Sequence, residues 1–318
     1  MRKIDLNSRR DFLKKLGAGT SLLGLSGLGA FLPSEASAAP RPRLTILHTN
    51  DMHSRIEPFP QDGRRFAGMG GMARRASLIE QIRQEEEHVL LLDAGDIFQG
   101  TPYFNFYEGE LEFKLMTEMG YDAATLGNHD FDNGLEGLKA QLPNAGFPFL
   151  VANYDFSNTI LEGAFKPFRI FEKGPIKVGV FGLGIELEGL VSEKHFEGVR
   201  YLEPVAVARE MVQELKAQGC HLVVCLSHLG YEYEQDKISD LKLAALVEGI
   251  DLIIGGHTHT FLEEPTVVRN PAGEDVLVNQ VGWAGINVGR IDYTFEKRKE
   301  KMGVFTASLP VSEKSSRI

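Results

Sequence analysis

Seven side chains with lone-pair donors stand in five short clusters of this 318-residue chain: Asp51 with His53, Asp96, Asn128, His228, and His257 with His259. All are oxygen or imidazole donors and none is Cys, which excludes a structural zinc knot by ligand type. Seven donors are too many for one tetrahedral ion. They suit two divalent ions sharing a bridging carboxylate, with open positions left for water and substrate. The spacings Asp-x-His and His-x-His predict that both donors lie on one face of an extended segment, aimed at one ion. Two such ions bring about +4 and the two Asp answer with about −2. A bridging hydroxide then leaves about +1, a centre able to receive a phosphate. Taken singly, these His and Asp would equally well cap strands or hydrogen-bond in loops. The repetition of one design is what favours a common site.

That design is a strand-like apolar run that ends in ligand-type residues. Leu44–Leu47 precedes Asp51-Met52-His53, and Val89–Leu92 precedes Gly95-Asp96. Asp122–Leu126 precedes Gly127-Asn128-His129-Asp130-Phe131-Asp132, where Gly127 is expected to let the backbone turn sharply. Leu222–Leu226 precedes Ser227-His228, and Asp251–Ile254 precedes Gly255-Gly256-His257-Thr258-His259. In open α/β sheets, sites form at the carboxyl ends of strands, so five clusters so placed converge on one point. Helical spacing covers 70–87, 110–119, 134–145, 205–218 and 237–247, with a further strand over 149–152. Runs 168–171 and 177–181 around Lys173-Gly174-Pro175 predict a β-hairpin, and from Pro265 onward short runs predict antiparallel strands closing the second half. The expected class is α/β: two packed mixed β-sheets flanked by helices.

The amino-terminal stretch is a targeting signal by its pattern. Asn7-Ser8-Arg9-Arg10-Asp11-Phe12-Leu13-Lys14 is a twin-arginine motif, a Gly-rich apolar run follows, and Ala36-Ser37-Ala38 suits signal peptidase. The apolar run is short for a membrane span and no Cys follows it, so no stable membrane anchor is expected. Export by the twin-arginine route to the periplasm or the medium is the expectation. The organisation expected is a signal peptide over 1–38, a short lead over 39–43, a catalytic domain over 44–310 and a tail over 311–318. The leader holds six of the 34 Lys/Arg and three of the 44 Asp/Glu, leaving 28 against 41 and a net charge of about −13. That acidity excludes a general nucleic-acid surface, and hence a nucleic-acid polymer as partner. The two cysteines, Cys220 and Cys225, would point to opposite faces of one strand and are expected to be buried free thiols.

Taken in order, Asn50-Asp51-Met52-His53, Gly95-Asp96-Ile97-Phe98-Gln99-Gly100, Gly127-Asn128-His129-Asp130, Ser227-His228 and Gly256-His257-Thr258-His259 resemble the calcineurin-like metallophosphoesterases. Gly100-Thr101-Pro102, Phe131-Asp132-Asn133-Gly134 and Gly71-Met72-Ala73-Arg74-Arg75-Ala76 narrow the resemblance to the 5′-nucleotidase branch. The resemblance implies a four-layer metallophosphoesterase sandwich and a metal-bridging hydroxide that attacks nucleotides or similar small phosphoesters. Asp51, His53 and His259 would hold one ion, Asn128, His228 and His257 the other, with Asp96 bridging. Manganese, zinc, iron and cobalt all remain open. His129 would stand beside the phosphate as a charge stabiliser or as acid to the leaving group, oriented by Asp132. Cyclic phosphodiesters, nucleotide sugars and sulfur esters are the alternative substrates. A nucleotide-binding subunit of a split two-chain assembly is the alternative of another class. The broader family has an acid where this chain has Gln99, a change that the branch shares. The branch also carries a nucleoside-binding C-terminal domain, whereas this chain ends at Ile318. The expectation is therefore that a separate chain supplies that surface or that the enzyme grips chiefly the phosphoryl group. Asn128, Arg74 and Phe98 are the candidate substrate contacts, with Phe98 in an aromatic group that includes Tyr103, Phe104, Phe106 and Tyr107.

Overall fold

The computed structural model describes residues 41–296 and 301–313. The twin-arginine motif, the Ala36-Ser37-Ala38 site and residues 314–318 of the expected tail lie outside the described residues. Thirteen strands and six α-helices are described. In chain order they begin β1 (Arg43–Thr49), α1 (Met72–Glu85), β2 (Val89–Asp93), α2 (Pro102–Tyr107), α3 (Glu110–Glu118), β3 (Ala123–Ala124) and α4 (Gly134–Gln141). Next come β4 (Tyr154–Asp155), β5 (Phe168–Lys173), β6 (Ile176–Leu183), β7 (Arg200–Tyr201), α5 (Pro204–Ala217) and β8 (Leu222–Ser227). The last are α6 (Asp240–Leu246), β9 (Leu252–Gly255), β10 (Thr266–Arg269), β11 (Asp275–Asn279), β12 (Asn287–Phe295) and β13 (Lys301–Pro310).

The strands form two large mixed sheets, of order β13-β12-β1-β2-β3 and β10-β11-β9-β8-β6-β5, and β4 pairs only with β7. Period-two alternation builds four layers from them. Leu90 and Leu92 of β2 point between the sheets, where they meet Val178, Val180, Leu222, Val224 and Ile254. Val89 and Leu91 point the other way, onto Leu78, Ile79 and Ile82 of α1 and Phe113 and Met116 of α3. On the far side, Val223, Cys225 and Ile253 pack under Val207, Val212 and Leu215 of α5 and Leu243 of α6. Central strands covered on both faces read as unbroken apolar runs, which is why they were visible in the sequence.

Several local expectations are corrected. Residues 149–152 form no strand; Phe149 and Leu150 make only isolated bridges to Ala124 and Lys166. The run before Gly127 contributes just the two residues of β3. Cys220 precedes β8 rather than lying on it, although both thiols are free and buried. The segment after Pro265 does not stay in the second half. β10 and β11 extend the second sheet, with β11 parallel to β9, whereas β12 crosses back to pair antiparallel with β1, and β13 follows at the edge. Val311, in the expected tail, is buried; its N–H donates to the Ile286 carbonyl and its own carbonyl accepts from Gly70.

Candidate functional site

Every donor-bearing loop leaves the carboxyl end of a parallel strand: β1, β2 and β3 in one sheet, β8 and β9 in the other. The loops then turn by left-handed backbone. Asp51 (φ 50°), His53 (46°), Asp96 (56°), His257 (71°) and His259 (52°) all occupy this region, as do Ser54 and Gln99. Such conformations cost non-glycine residues about 1–3 kcal/mol each and persist where surrounding structure fixes them. This replaces the expected strand parity: Asp51 and His53 meet in one group through left-handed turns, whereas His257 and His259, also left-handed, part into two different groups and do not aim at one ion. Gly127 also differs from its expected role. Its φ is not positive. What it supplies is room, because a Cβ there would lie 2.1 Å from Asp96 Oδ1. Gly95, at φ 87°, makes the turn instead.

All seven predicted donors come together. Asp51, His53 and His259 offer donor atoms within 4.8 Å of one another, and so do Asp96, His228 and His257. Asn128 joins the second group through a 2.8 Å contact of its Oδ1 with His257 Nδ1. Asp96 Oδ2 lies 3.1 Å from His228 Nε2 and 3.9 Å from His53 Nε2, so it stands between the groups. His228 Nε2 lies 3.9 Å from Asp51 Oδ1, a second link.

The donors fit cations on structural grounds. His228 Nδ1 is 2.7 Å from the Ala94 carbonyl, to which it donates, so in the neutral ring, the form that can hold a cation, the lone pair belongs on Nε2. That atom is fully buried and makes no hydrogen bond; Asp96 is at ion-pair distance but out of line for one. A buried polar atom without a partner calls for an explanation. His53 Nδ1 contacts the Gln99 carbonyl at 3.2 Å, again freeing Nε2, and that Nε2 lies 2.9 Å from His259 Nε2. Two imidazole nitrogens so close need either a proton on one of them or one cation facing both.

Charge placement follows from the same contacts. Burial alone would lower His228, but Asp96 and Asp51 push it up to about 10. Burial alone would raise Asp96, yet His228 and His53 hold it well below the usual carboxylate range. His257 is lowered to about 4, first by burial and then by the charge on His228. Burial also lowers His53. Without an ion, His228 and Asp96 therefore form a buried pair, and His53 and His257 are neutral bases.

His129 stands beside this group, its ring centroid 5.2 Å from that of His53. Its backbone N–H donates to Asp96 Oδ1 at 2.8 Å, and its Nδ1 meets Asp132 Oδ2 at 2.8 Å. The hydrogen bond to Asp132 raises the pKa of His129 above its ordinary value, against an opposing effect of burial. The other candidates fare differently. Phe98 is a correction: it is fully buried, stacked on Phe113 at 4.7 Å between centroids, and offers no surface to a substrate. Arg74 donates to the Gly68 carbonyl and lines a cleft with Ile56, Leu115 and Met119, outside the donor groups. Its neighbour Arg75 is fully buried, with Nη1 2.8 Å from the sulfur of Met52.

Other residues of the same motifs hold the site together, in roles that the sequence did not signal. Asp130 accepts four backbone N–H bonds, from Asp96, Ile97, Phe98 and Gly127, which tie the loop after β2 to the loop after β3. Asn50 donates to Asp51 Oδ2 at 2.5 Å and to the Gly282 carbonyl at 2.6 Å. Trp283 stacks on His259, and nothing local in the sequence signals it.

The profile of the calcineurin-like phosphoesterase family matches residues 44–261. A snake venom 5′-nucleotidase from Gloydius brevicauda is 35% identical over 297 residues, covering 87% of this chain and 49% of that protein. A 5′-nucleotidase from Bos taurus is 35% identical over 303 residues, covering 88% and 51%. Among solved structures, a 5′-nucleotidase precursor from Thermus thermophilus superposes with a TM-score of 0.78 at 36% identity, covering 86% of this chain and 55% of that one. The chain thus spans about half the length of the relatives it matches.

Proposed function

Because the chain belongs to the calcineurin-like phosphoesterase family, we propose that it is an exported hydrolase that uses two divalent ions to cleave nucleotides or similar small phosphoesters. The observation that carries this reading is the meeting of two donor triads, one of which contains Asp96 and is linked through it to the other, with a His–Asp pair alongside. In this reading Asp51, His53 and His259 hold one ion, Asn128, His228 and His257 hold the other, and Asp96 is shared. The donor set admits manganese, zinc, iron or cobalt. Divalent ions held there would supply Lewis-acid chemistry, activating water near neutral pH and offsetting the phosphoryl charge.

The chain's own residues do the rest. Asp132 occupies Nδ1 of His129, so a protonated His129 presents Nε2–H to the leaving oxygen. The bond from the His129 backbone to Asp96 fixes that imidazole relative to the shared carboxylate. Asp130 and Asn50 hold the loops that carry Asp96 and Asp51. Residues 44–310 form the catalytic domain in this reading, and residues 1–38 direct export to the periplasm or medium by the twin-arginine route. Among the described residues no helix is long and apolar enough to cross a membrane.

The test is a panel of nucleoside monophosphates, cyclic nucleotides, nucleotide sugars and sulfur esters, assayed on purified protein loaded with each metal, with ion content measured alongside. Hydrolysis of monoesters by a two-ion protein is the expected result. Two bound ions with turnover of no phosphoester would overturn the proposal.

A further inference from the structure

A line of aromatic rings leads outward from the first donor group. Trp283, the single tryptophan of the chain, lies parallel to the His259 imidazole, 5.7 Å between centroids and 7° between planes. Phe59 meets Trp283 edge-on at 5.8 Å and lies tilted against Phe66 at 6.0 Å, and Phe66 in turn stacks on Phe261 at 5.6 Å. Phe59, Phe66 and Trp283 are half-buried and Phe261 is exposed, so the rings form a surface and not a core.

The surface is held in place by the backbone. Phe59 and the 68–69 segment close their loop by two bonds, Phe59 N–H to the Met69 carbonyl at 2.8 Å and Gly68 N–H to the Phe59 carbonyl at 3.1 Å. The Phe261 ring lies against Gly282, where a Cβ would come within 2.2 Å of it. Two guanidinium groups cover these rings: Arg55 sits 4.2 Å from the Phe59 centroid, and Arg65 sits 5.0 Å from Phe66 and 5.9 Å from Phe261. Among the described residues neither has a carboxylate within 4.0 Å, and Arg55 Nε is buried without a hydrogen-bond partner. Two unpaired cations on an aromatic wall beside a candidate metal centre, in a chain with 44 acidic and 34 basic residues, mark a place where an anion completes the charge balance.

We infer that this wall is the leaving-group subsite of the phosphoester centre: its rings stack a planar aromatic leaving group, nucleobase or aryl, while Arg55 and Arg65 draw in the anionic ester. The inference rests on the hydrolase reading above and names its substrate class. Continuity with the centre through His259 is what selects a substrate portion as the occupant. Stacking contributes about 1–3 kcal/mol per base and tolerates every base, since each has a π-face. The wall therefore favours aromatic over alkyl esters without distinguishing purine from pyrimidine, and kcat/KM for AMP and CMP should agree within about tenfold.

Because Trp283 is the only tryptophan, its fluorescence reads the wall without any turnover. The full protein, with ions and after chelation, is titrated with adenosine, AMP and glycerol 3-phosphate. Quenching by adenosine and AMP but not by glycerol 3-phosphate, retained for adenosine after chelation, is the expected result. In parallel, Phe66→Leu and Phe261→Leu together should lower the ratio of kcat/KM on AMP to that on glycerol 3-phosphate by about ten- to a hundredfold. No quenching by adenosine at millimolar concentration, with an unchanged ratio, overturns the subsite while leaving the hydrolase reading intact. Adenosine quenching by a protein that cleaves neither ester upholds the stacking wall and overturns the hydrolase reading. Sedimentation showing a dimer that shields Trp283 from adenosine would assign the rings to a second copy of the chain and overturn the subsite.

Discussion

Gly127→Ala adds one methyl group at the point where the loops after β2 and β3 touch. The added Cβ would lie 2.1 Å from Asp96 Oδ1, 2.7 Å from Asp96 Cγ and 2.5 Å from Asp96 N. Ordinary contact begins at 3.4 Å, so the nearest pair is 1.3 Å too close. One of the three atoms is backbone, and rotation of the carboxylate alone cannot relieve the overlap. The φ of Gly127 is not positive, so alanine brings no conformational strain of its own. Overpacking of this kind costs about 1–3 kcal/mol. In a domain of this size that lowers Tm by about 2–12 °C. The larger effect should be on the site, because a displacement of about 1 Å in a reacting geometry costs about a hundredfold in rate. The assay compares ion content, Tm and kcat/KM on AMP in Gly127→Ala and in Gly303→Ala, where nothing lies within 4 Å of the added Cβ. Two ions retained and kcat/KM within about twofold of the parent would refute the packing argument and the shared role of Asp96 with it.

Asp96→Ala should remove ions and activity together, and elemental analysis that still finds two ions per chain would defeat the bridging assignment. Replacing His129 with Gln should leave ion content nearly unchanged and lower turnover by about 10²–10⁴-fold, most for poor leaving groups, as expected for a general acid. Equal losses on AMP and on p-nitrophenyl phosphate would point to positioning or charge stabilisation instead. A pH profile tests the His129–Asp132 pair: Asp132 raises His129, so the protonated acid is present below that raised pKa and is lost as pH climbs through it. Asp132→Asn should move the alkaline fall of kcat on AMP to lower pH, whereas an unshifted profile merely scaled down would argue that Asp132 acts only as packing. Arg9→Lys with Arg10→Lys should hold the precursor in the cytoplasm, and an unchanged exported yield on fractionation would reject the twin-arginine reading.

The donors were legible because chemistry narrows their types and because buried parallel strands write themselves as apolar runs. Leu44–Leu47, Val89–Leu92 and Leu222–Leu226 each announce a strand whose end must carry the next polar residue. What the sequence could not display is how each donor turns. Asp51 and His257 are left-handed although neither residue type requires it, and only the assembled loops, closed by Asn50 and Asp130, impose that shape. Phe98 departs from expectation for a related reason. Proximity to Asp96 in sequence suggested proximity to substrate, but a left-handed Asp96 sends the next residues back into the core against Phe113. The return of β12 to β1 was illegible as well, because β-pairing partners are set by packing between the sheets and not by any local signal in 287–295.

That return has a consequence in time. β1 is the first described strand to leave the ribosome, and β2 can pair with one of its edges soon afterwards. Its other edge waits for β12; Arg43 and Asp292, which meet across that pairing, are 249 positions apart. Closure over such a separation is slow, and an open strand edge is meanwhile a template for wrong partners. The donors hanging from the end of β1 share the delay, since His53 meets His259 only after 206 further residues have been made. On the proposed reading, an ion held by both would be captured only once β1 and the loop after β9 had come together, so its presence would report folding across the chain rather than synthesis alone.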